Sequence, residues 1–262
     1  MSEVVDSLAS PQEEPPVEIH KPKPMHSWRE LLTEIGVVVI GVCIALGAEQ
    51  TVEWFHWQHK IEASLEAVRL ELKNDNGPQA FTRVAIRDCL DQRLDAIQAA
   101  IEAGKSRQEI AALVQGYRPP NRTWDSDAWK AVLASDIGSH VAPETMVLWS
   151  MPYRWIPVVQ ATNSQEHEDW KGLQLVHRTG EKLSAGEAET MLAAIQRLRQ
   201  GNRDMFIDLR FILRRLRSFN ADLDAEQKRQ LLGALRAQLG NCVVMPSTDF
   251  DPFDQLREMH EK

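Results

Sequence analysis

Apolar positions in this chain follow two different patterns. From Ile35 to Ala48 they run for 14 residues without a charge, bounded by Glu34 and Glu49. After Lys60 they recur every three or four residues among charged ones, the spacing of a helix with one buried face. The uncharged run alone covers about 21 Å at 1.5 Å per residue, less than a ~30 Å hydrocarbon core. Extended to Leu31–Val52, it reaches roughly 33 Å, enough to span a bilayer. Glu34 and Glu49 then lie about one turn inside its ends, where they can reach toward headgroups. Trp28 lies on one side, and Trp54, Phe55 and Trp57 lie on the other, as interfacial anchors do. The alternatives are a buried core helix and a cleaved signal peptide. The aromatic flanks argue against the first. Against the second stands a long preceding region that carries Glu3, Asp6, Glu13, Glu14 and Glu18.

Lys21, Lys23 and Arg29 precede the run closely, and only Lys60 follows within a similar distance. The positive-inside bias therefore predicts a cytoplasmic N-terminus and an external remainder. Residues 1–27 hold five prolines among acidic and small residues and read as a disordered tail too short for an output domain. The organisation expected is that tail, a transmembrane helix with its flanks at 28–55, a helical soluble domain at 56–242 and an acidic tail at 243–262. The fold class expected is all-α, an elongated helical bundle after one N-terminal span.

Within the soluble part, Ile61, Leu65, Val68 and Leu72 form a narrow stripe that continues the first helix, and Asn76-Gly77-Pro78 predicts a stop. Ile86, Leu90, Leu94, Ile97 and Ile101 form the next stripe, ending near Gly104. A short helix starts at Ser106, and Asp125 or Ser126 caps another. A helix after Pro143 is expected to kink or break at Pro152 and Pro157. The longest helix begins after Ser184, which makes a capping box with Glu187, and Gly201 is placed to split it. Asp222 or Asp224 caps a last helix that ends at Gly240.

The string Glu34-Ile35-Gly36-Val37-Val38-Val39-Ile40-Gly41-Val42-Cys43-Ile44-Ala45-Leu46, with Trp54 and Glu71-Leu72-Lys73-Asn74 after it, resembles a family of bacterial single-span membrane proteins of unknown function. The resemblance covers about residues 28–76 and implies one short membrane helix joined to a helical domain; with the charge bias, it implies a bacterial inner-membrane protein with a cytoplasmic N-terminus and a periplasmic domain. Glu49-Gln50 departs from the asparagines that this family often carries there. The resemblance brings no catalytic residues.

Candidate chemistry is sparse. Cys43 lies in the apolar run, leaving Cys89 and Cys242 as an even pair. In an oxidising compartment they can form a disulfide, stabilising by about 4–5 kcal/mol in the chain-entropy model; two unrelated buried thiols are the alternative. Gly41, Ala45 and Ala48 share a helix face with Glu34 and suit close approach of two helices. Tyr117, Trp124, Trp129, Trp149, Tyr153, Trp155 and Trp170 concentrate aromatic area; Trp124, Trp129, Trp149 and Trp155 are the candidate lining of a pocket, with ordinary core packing as the alternative. Glu53, His56, His59 and Glu62 step by three and read as interfacial polar residues rather than a metal site. Glu166-His167-Glu168-Asp169-Trp170 reads as a solvated acidic turn.

Arg197, Arg199, Arg203, Arg210, Arg214, Arg215 and Arg217 make one helix basic, with Glu62, Glu66, Glu71, Asp88, Asp91 and Asp95 on earlier helices to complement them. A net charge of −8 argues against nucleic acid as a partner. No phosphate-binding glycine loop, HExxH, CxxC or nucleophile elbow occurs, so no cofactor or metal is expected. The function expected is a membrane-tethered interaction or assembly module. Its expected partners are the lipid bilayer, a second copy of itself and an envelope protein. A ligand-sensing domain acting through a partner is the first alternative, and a metal-dependent enzyme using His56, His59 or His167 is the second.

Overall fold

The structure is a computed structural model and describes residues 27–247. The tails expected at 1–27 and 243–262 therefore lie outside the described residues, except for Ser27 and residues 243–247. The described residues form helices and no strand, so the fold is all-α. They divide into two units at Trp54–Phe55.

The first unit is the beginning of α1 (Trp28–Glu71). Its apolar side chains are exposed all round the helix, Val37 at 65% and Ile44 at 68% among them. Thr33 and Thr51 donate their hydroxyls to the helix's own carbonyls at Arg29 (2.9 Å) and Gly47 (2.7 Å). These side chains thus present no unpaired hydroxyl hydrogen to an apolar surrounding.

In the second unit, Val68 and Leu72 of the expected stripe are buried, while Leu65 stays exposed. The expected stop at Asn76-Gly77-Pro78 does not occur. A π turn, Leu72–Asn76, carries the chain directly into α2 (Gly77–Ala85). The Gly77 N–H bonds back to the Leu72 carbonyl, five residues earlier, and Pro78 falls in the first turn of α2, where its missing N–H is tolerated. A Cβ on residue 77 would lie 2.8 Å from that carbonyl oxygen, so the wide turn requires glycine. Buried Asn76 locks the turn, donating to the Asp125 carbonyl (2.8 Å) and accepting from the Asp125 N–H (3.2 Å).

Then follow α3 (Arg87–Glu102), α4 (Arg107–Gln115), α5 (Asp127–Ala134), α6 (Pro143–Tyr153), α7 (Ile156–Leu173), α8 (Ala185–Leu216) and α9 (Ala225–Leu239). Capping boxes start α4 (Ser106 with Glu109), α8 (Ser184 with Glu187) and α9 (Asp224 with Gln227). The cap of α5 is a correction: Ser126 holds the N-cap position without a side-chain bond, and Glu71 of α1 accepts from the Ala128 N–H at 2.8 Å instead. The break between Pro152 and Pro157 falls at Arg154–Trp155.

Two hydrophobic clusters organise this unit, and α8 runs through both. Met191, Ala194, Ile195 and Leu198 join the cluster of α3 and α4; Met205, Leu209, Ile212, Leu213 and Leu216 join that of α2, α6 and α9. Gly201 does not split α8, which is continuous for 32 residues. Arg107 closes the first cluster. Its guanidinium donates to the carbonyls of Leu175 (2.8 Å) and Lys182 (3.0 Å) and to Glu187 (2.8 Å). The Ser184 N–H, then Arg107 and the Ser184 hydroxyl, hold the Glu187 carboxyl down at about 2. Cys89 on α3 is bonded to Cys242 just past α9, S–S 2.10 Å, and the Val244 N–H donates to the Ala85 carbonyl at 3.0 Å.

Candidate functional site: the polar layer between α7 and α8

Helix α7 is not apparent from hydropathy, and its buried face explains why. Ile156, Val159, Asn163, Glu166, Asp169 and Leu173 are buried at steps of three and four, the spacing of one helix face. Three of the six are polar. The string from Glu166 to Trp170, expected as a solvated turn, is instead mid-helix. Glu166 and Asp169 face inward, while Glu168 is exposed and pairs with Lys171 at 2.6 Å.

Glu166 sits opposite Gly201 of α8. A Cβ on residue 201 would lie 2.8 Å from the Glu166 Cγ, so only glycine lets the helices approach here. Gly172 does the same against the Ala194 Cβ, at 2.9 Å. Arg83 of α2, 4% exposed, bridges the layer. It donates through Nη2 to Glu166 Oε1 and through Nη1 to Asn202 Oδ1, both at 2.6 Å. Asn202, fully buried in the middle of α8, donates in turn to Asp91 Oδ1 (2.6 Å) and to the Arg87 carbonyl (3.1 Å). One polar belt thus joins α2, α3, α7 and α8 between the two hydrophobic clusters.

The belt opens into a cleft of about 460 Å³, lined by Gln165, Glu166 and Asp169 of α7 and by Arg197, Gln200, Gly201 and Asp204 of α8. Asp169 accepts from Arg197 Nε (2.6 Å) and Gln165 Nε2 (3.3 Å), and Asp204 Oδ1 accepts from Gln200 Nε2 (2.8 Å). Glu166 is 2% exposed, and its Oε2 has no hydrogen-bond partner in the protein. Burial raises its carboxyl pKa; Arg83 opposes this, and the negative charges of Asp169 and Asp204 add to the rise.

The sequence-predicted site residues fall elsewhere. Trp124 and Trp149 are buried in the second cluster. Trp129 stacks on Tyr153 with centroids 5.5 Å apart, and the Tyr153 hydroxyl donates to Glu71 at 2.7 Å. Trp155 stacks on Phe211 at 5.0 Å and, with Arg154 and Arg215, lines a separate groove of about 480 Å³. Glu34, Gly41, Ala45 and Ala48 are exposed on α1. Trp57 stacks on His140 at 3.5 Å, His59 lies 3.9 Å from Glu62, and His167 stacks on Trp170 at 5.6 Å. Among the described residues no group of three His, Cys, Asp or Glu side chains is placed to hold a metal ion. Of the basic helix, Arg199 meets Asp95 of α3 at 2.6 Å, the complementarity expected, whereas Arg197 pairs with Asp169 of α7.

The layer left two traces in the sequence: a carboxylate pair three residues apart, and a glycine inside the longest helical pattern. Neither identifies its partner, because the pairing is between helices distant in sequence. No family model matches the chain, and neither a curated protein nor a solved structure matches it.

Proposed function

We propose that this chain is a membrane-tethered helical interaction module of a bacterial cell envelope, with a cytoplasmic N-terminus, one span and a periplasmic helical domain. The observation that carries the reading is the start of α1, an apolar helical stretch long enough to cross a membrane in which no residue is buried. Such a surface is stable against lipid or another apolar helix, and costly in water. The excess of lysine and arginine before the run supports the orientation. The Cys89–Cys242 bond supports an oxidising compartment for the domain. Gly41, Ala45 and Ala48, with open space at the Gly41 Cβ position, support association of two copies through the span. The domain acts by binding, with an envelope protein as its second partner.

Crosslinking in living cells, followed by membrane fractionation, tests the reading. The chain is expected in the carbonate-resistant membrane fraction as a crosslinked dimer, and Gly41→Leu is expected to remove the dimer without releasing the chain from the membrane. Recovery of monomer alone, with no crosslinked partner of any kind, would sink the interaction reading.

A further inference from the structure

We propose that the groove at the junction of α6 and α7 binds a small aromatic carboxylate. The groove begins with a helix break. Pro157 has no N–H to carry the helix on, so α6 stops at Tyr153 and α7 starts at Ile156. The link between them is held in place. The Arg154 N–H donates to the Ser150 carbonyl (3.0 Å) and the Trp155 N–H to the Pro152 carbonyl (3.2 Å). Met151, Arg154, Trp155 and Val158 reach the groove from this junction, and Phe211 and Arg215 reach it from α8. Its volume of about 480 Å³ is that of a small-molecule site.

The walls define the ligand's body. Trp155 and Phe211 are half-buried and stack with only 5° between their planes. Val158 beside them is 45% exposed. A flat ring laid on these side chains removes apolar area from water and loses little conformational freedom in doing so. Charge defines the rest. Two guanidiniums and no carboxylate line the groove, in a chain of net charge −8. Elsewhere Arg83, Arg107, Arg197 and Arg199 each meet a carboxylate at 2.6–2.8 Å. Arg154 and Arg215 make no ion pair or side-chain hydrogen bond among the described residues. Asp208, three residues before Phe211, does not answer them: burial and Asp204 raise its carboxyl, and no guanidinium opposes the rise. A carboxylate matches the guanidinium fork and offsets the repulsion between two like charges. Attached to an aromatic ring, it completes one flat molecule that meets both properties of the groove.

Isothermal titration of the full chain in a non-ionic detergent with 2-naphthoate tests the proposal. Saturable binding at one site per chain is expected, with a dissociation constant below about 1 mM. Arg154→Gln and Arg215→Gln, both at exposed positions, are each expected to weaken it about tenfold, the loss of a charge-assisted hydrogen bond, while the melting temperature stays unchanged. Arg118→Gln, which removes a guanidinium beside Trp170 outside this groove, is expected to leave the affinity as it is. 2-Naphthamide, with the same ring and no charge, and acetate, with the same charge and no ring, are each expected to bind at least tenfold more weakly. The proposal is overturned by no saturable heat at millimolar naphthoate, by wild-type affinity in both groove variants, or by equal binding of naphthamide or acetate. Binding that appears only after residues 248–262 are removed overturns it in favour of that acidic segment as the occupant.

Discussion

Residues 28–54 and residues 55–247 use the same apolar side chains in opposite ways. In the first stretch Val37, Ile40 and Ile44 are each more than 60% exposed, and no residue is buried. In the second, Leu94, Ile97, Ile195 and Leu198 are fully buried, and charged residues take the surface. The difference lies in the arrangement of the apolar residues. A helix apolar on every face has no inside to turn toward, so it needs an apolar surrounding, whereas a helix with a single stripe builds an interior. This contrast supports the proposed membrane tether more strongly than any single residue does.

The largest expected effect separates the domain's covalent clamp from its packing. Reducing the Cys89–Cys242 bond, which joins positions 153 apart in sequence, is expected to lower the domain's unfolding free energy by about 5 kcal/mol in the chain-entropy model. Urea denaturation of wild type with and without reductant reads it. A matched pair of truncations then sharpens the contrast between regions. Leu198→Ala is expected to destabilise by about 3 kcal/mol through lost burial and the cavity left behind. Ile44→Ala removes a similar side chain from an exposed position and is expected to change domain stability by less than about 0.5 kcal/mol. Equal effects in the two places would mean that the apolar run is packed as core.

Smaller effects probe the polar layer. Gly201→Ala replaces a poor helix former with the best one, a gain of about 1 kcal/mol in isolation. Its Cβ meets the Glu166 Cγ, however, so a net loss of about 1–2 kcal/mol is expected in chemical denaturation. The smallest effect is a pH dependence. Burial, and then the negative charge of Asp204, push the Asp208 carboxyl up to about 6. The native state therefore holds this proton more tightly than the unfolded chain does. Stability from this group is highest in acid and falls as pH rises from about 4 to about 6. Asp208→Asn removes the fall. After allowance for solvent screening it is expected to gain about 1 kcal/mol at pH 7 and nothing near pH 3, as read from denaturation midpoints across that range.

The hydrophobic interior was legible in the sequence wherever packing is written as apolar periodicity. The α3 stripe from Leu90 to Ile101 and the long α8 stripe both lie in the clusters that their spacing predicts. Local capping chemistry was equally readable at Ser184 and Asp224. Two kinds of feature were not. Breakers were overread: Gly77-Pro78 ends no helix because a π turn accommodates it, and Gly201 splits nothing because its missing side chain makes room for Glu166. Long-range polar pairing was invisible. Asn163, Glu166 and Asp169 occupy a buried helix face that hydropathy reads as solvent, and the Glu71 cap on α5 comes from 57 residues away. The candidate site lies in that second category, which is why the sequence pointed instead to tryptophans, two of which fill the core.

Thiol trapping in intact cells tests the central claim most directly. Free thiols are blocked with an impermeant reagent before lysis, and the full chain is then compared with Cys89→Ser and Cys242→Ser on a non-reducing gel. A domain held on the oxidising side of a membrane predicts a wild-type band that migrates faster than either variant, with two thiols released only by reductant. Free thiols at Cys89 and Cys242, shielded from the reagent in intact cells and labelled only after lysis, would place the domain in the reducing cytoplasm and contradict the account.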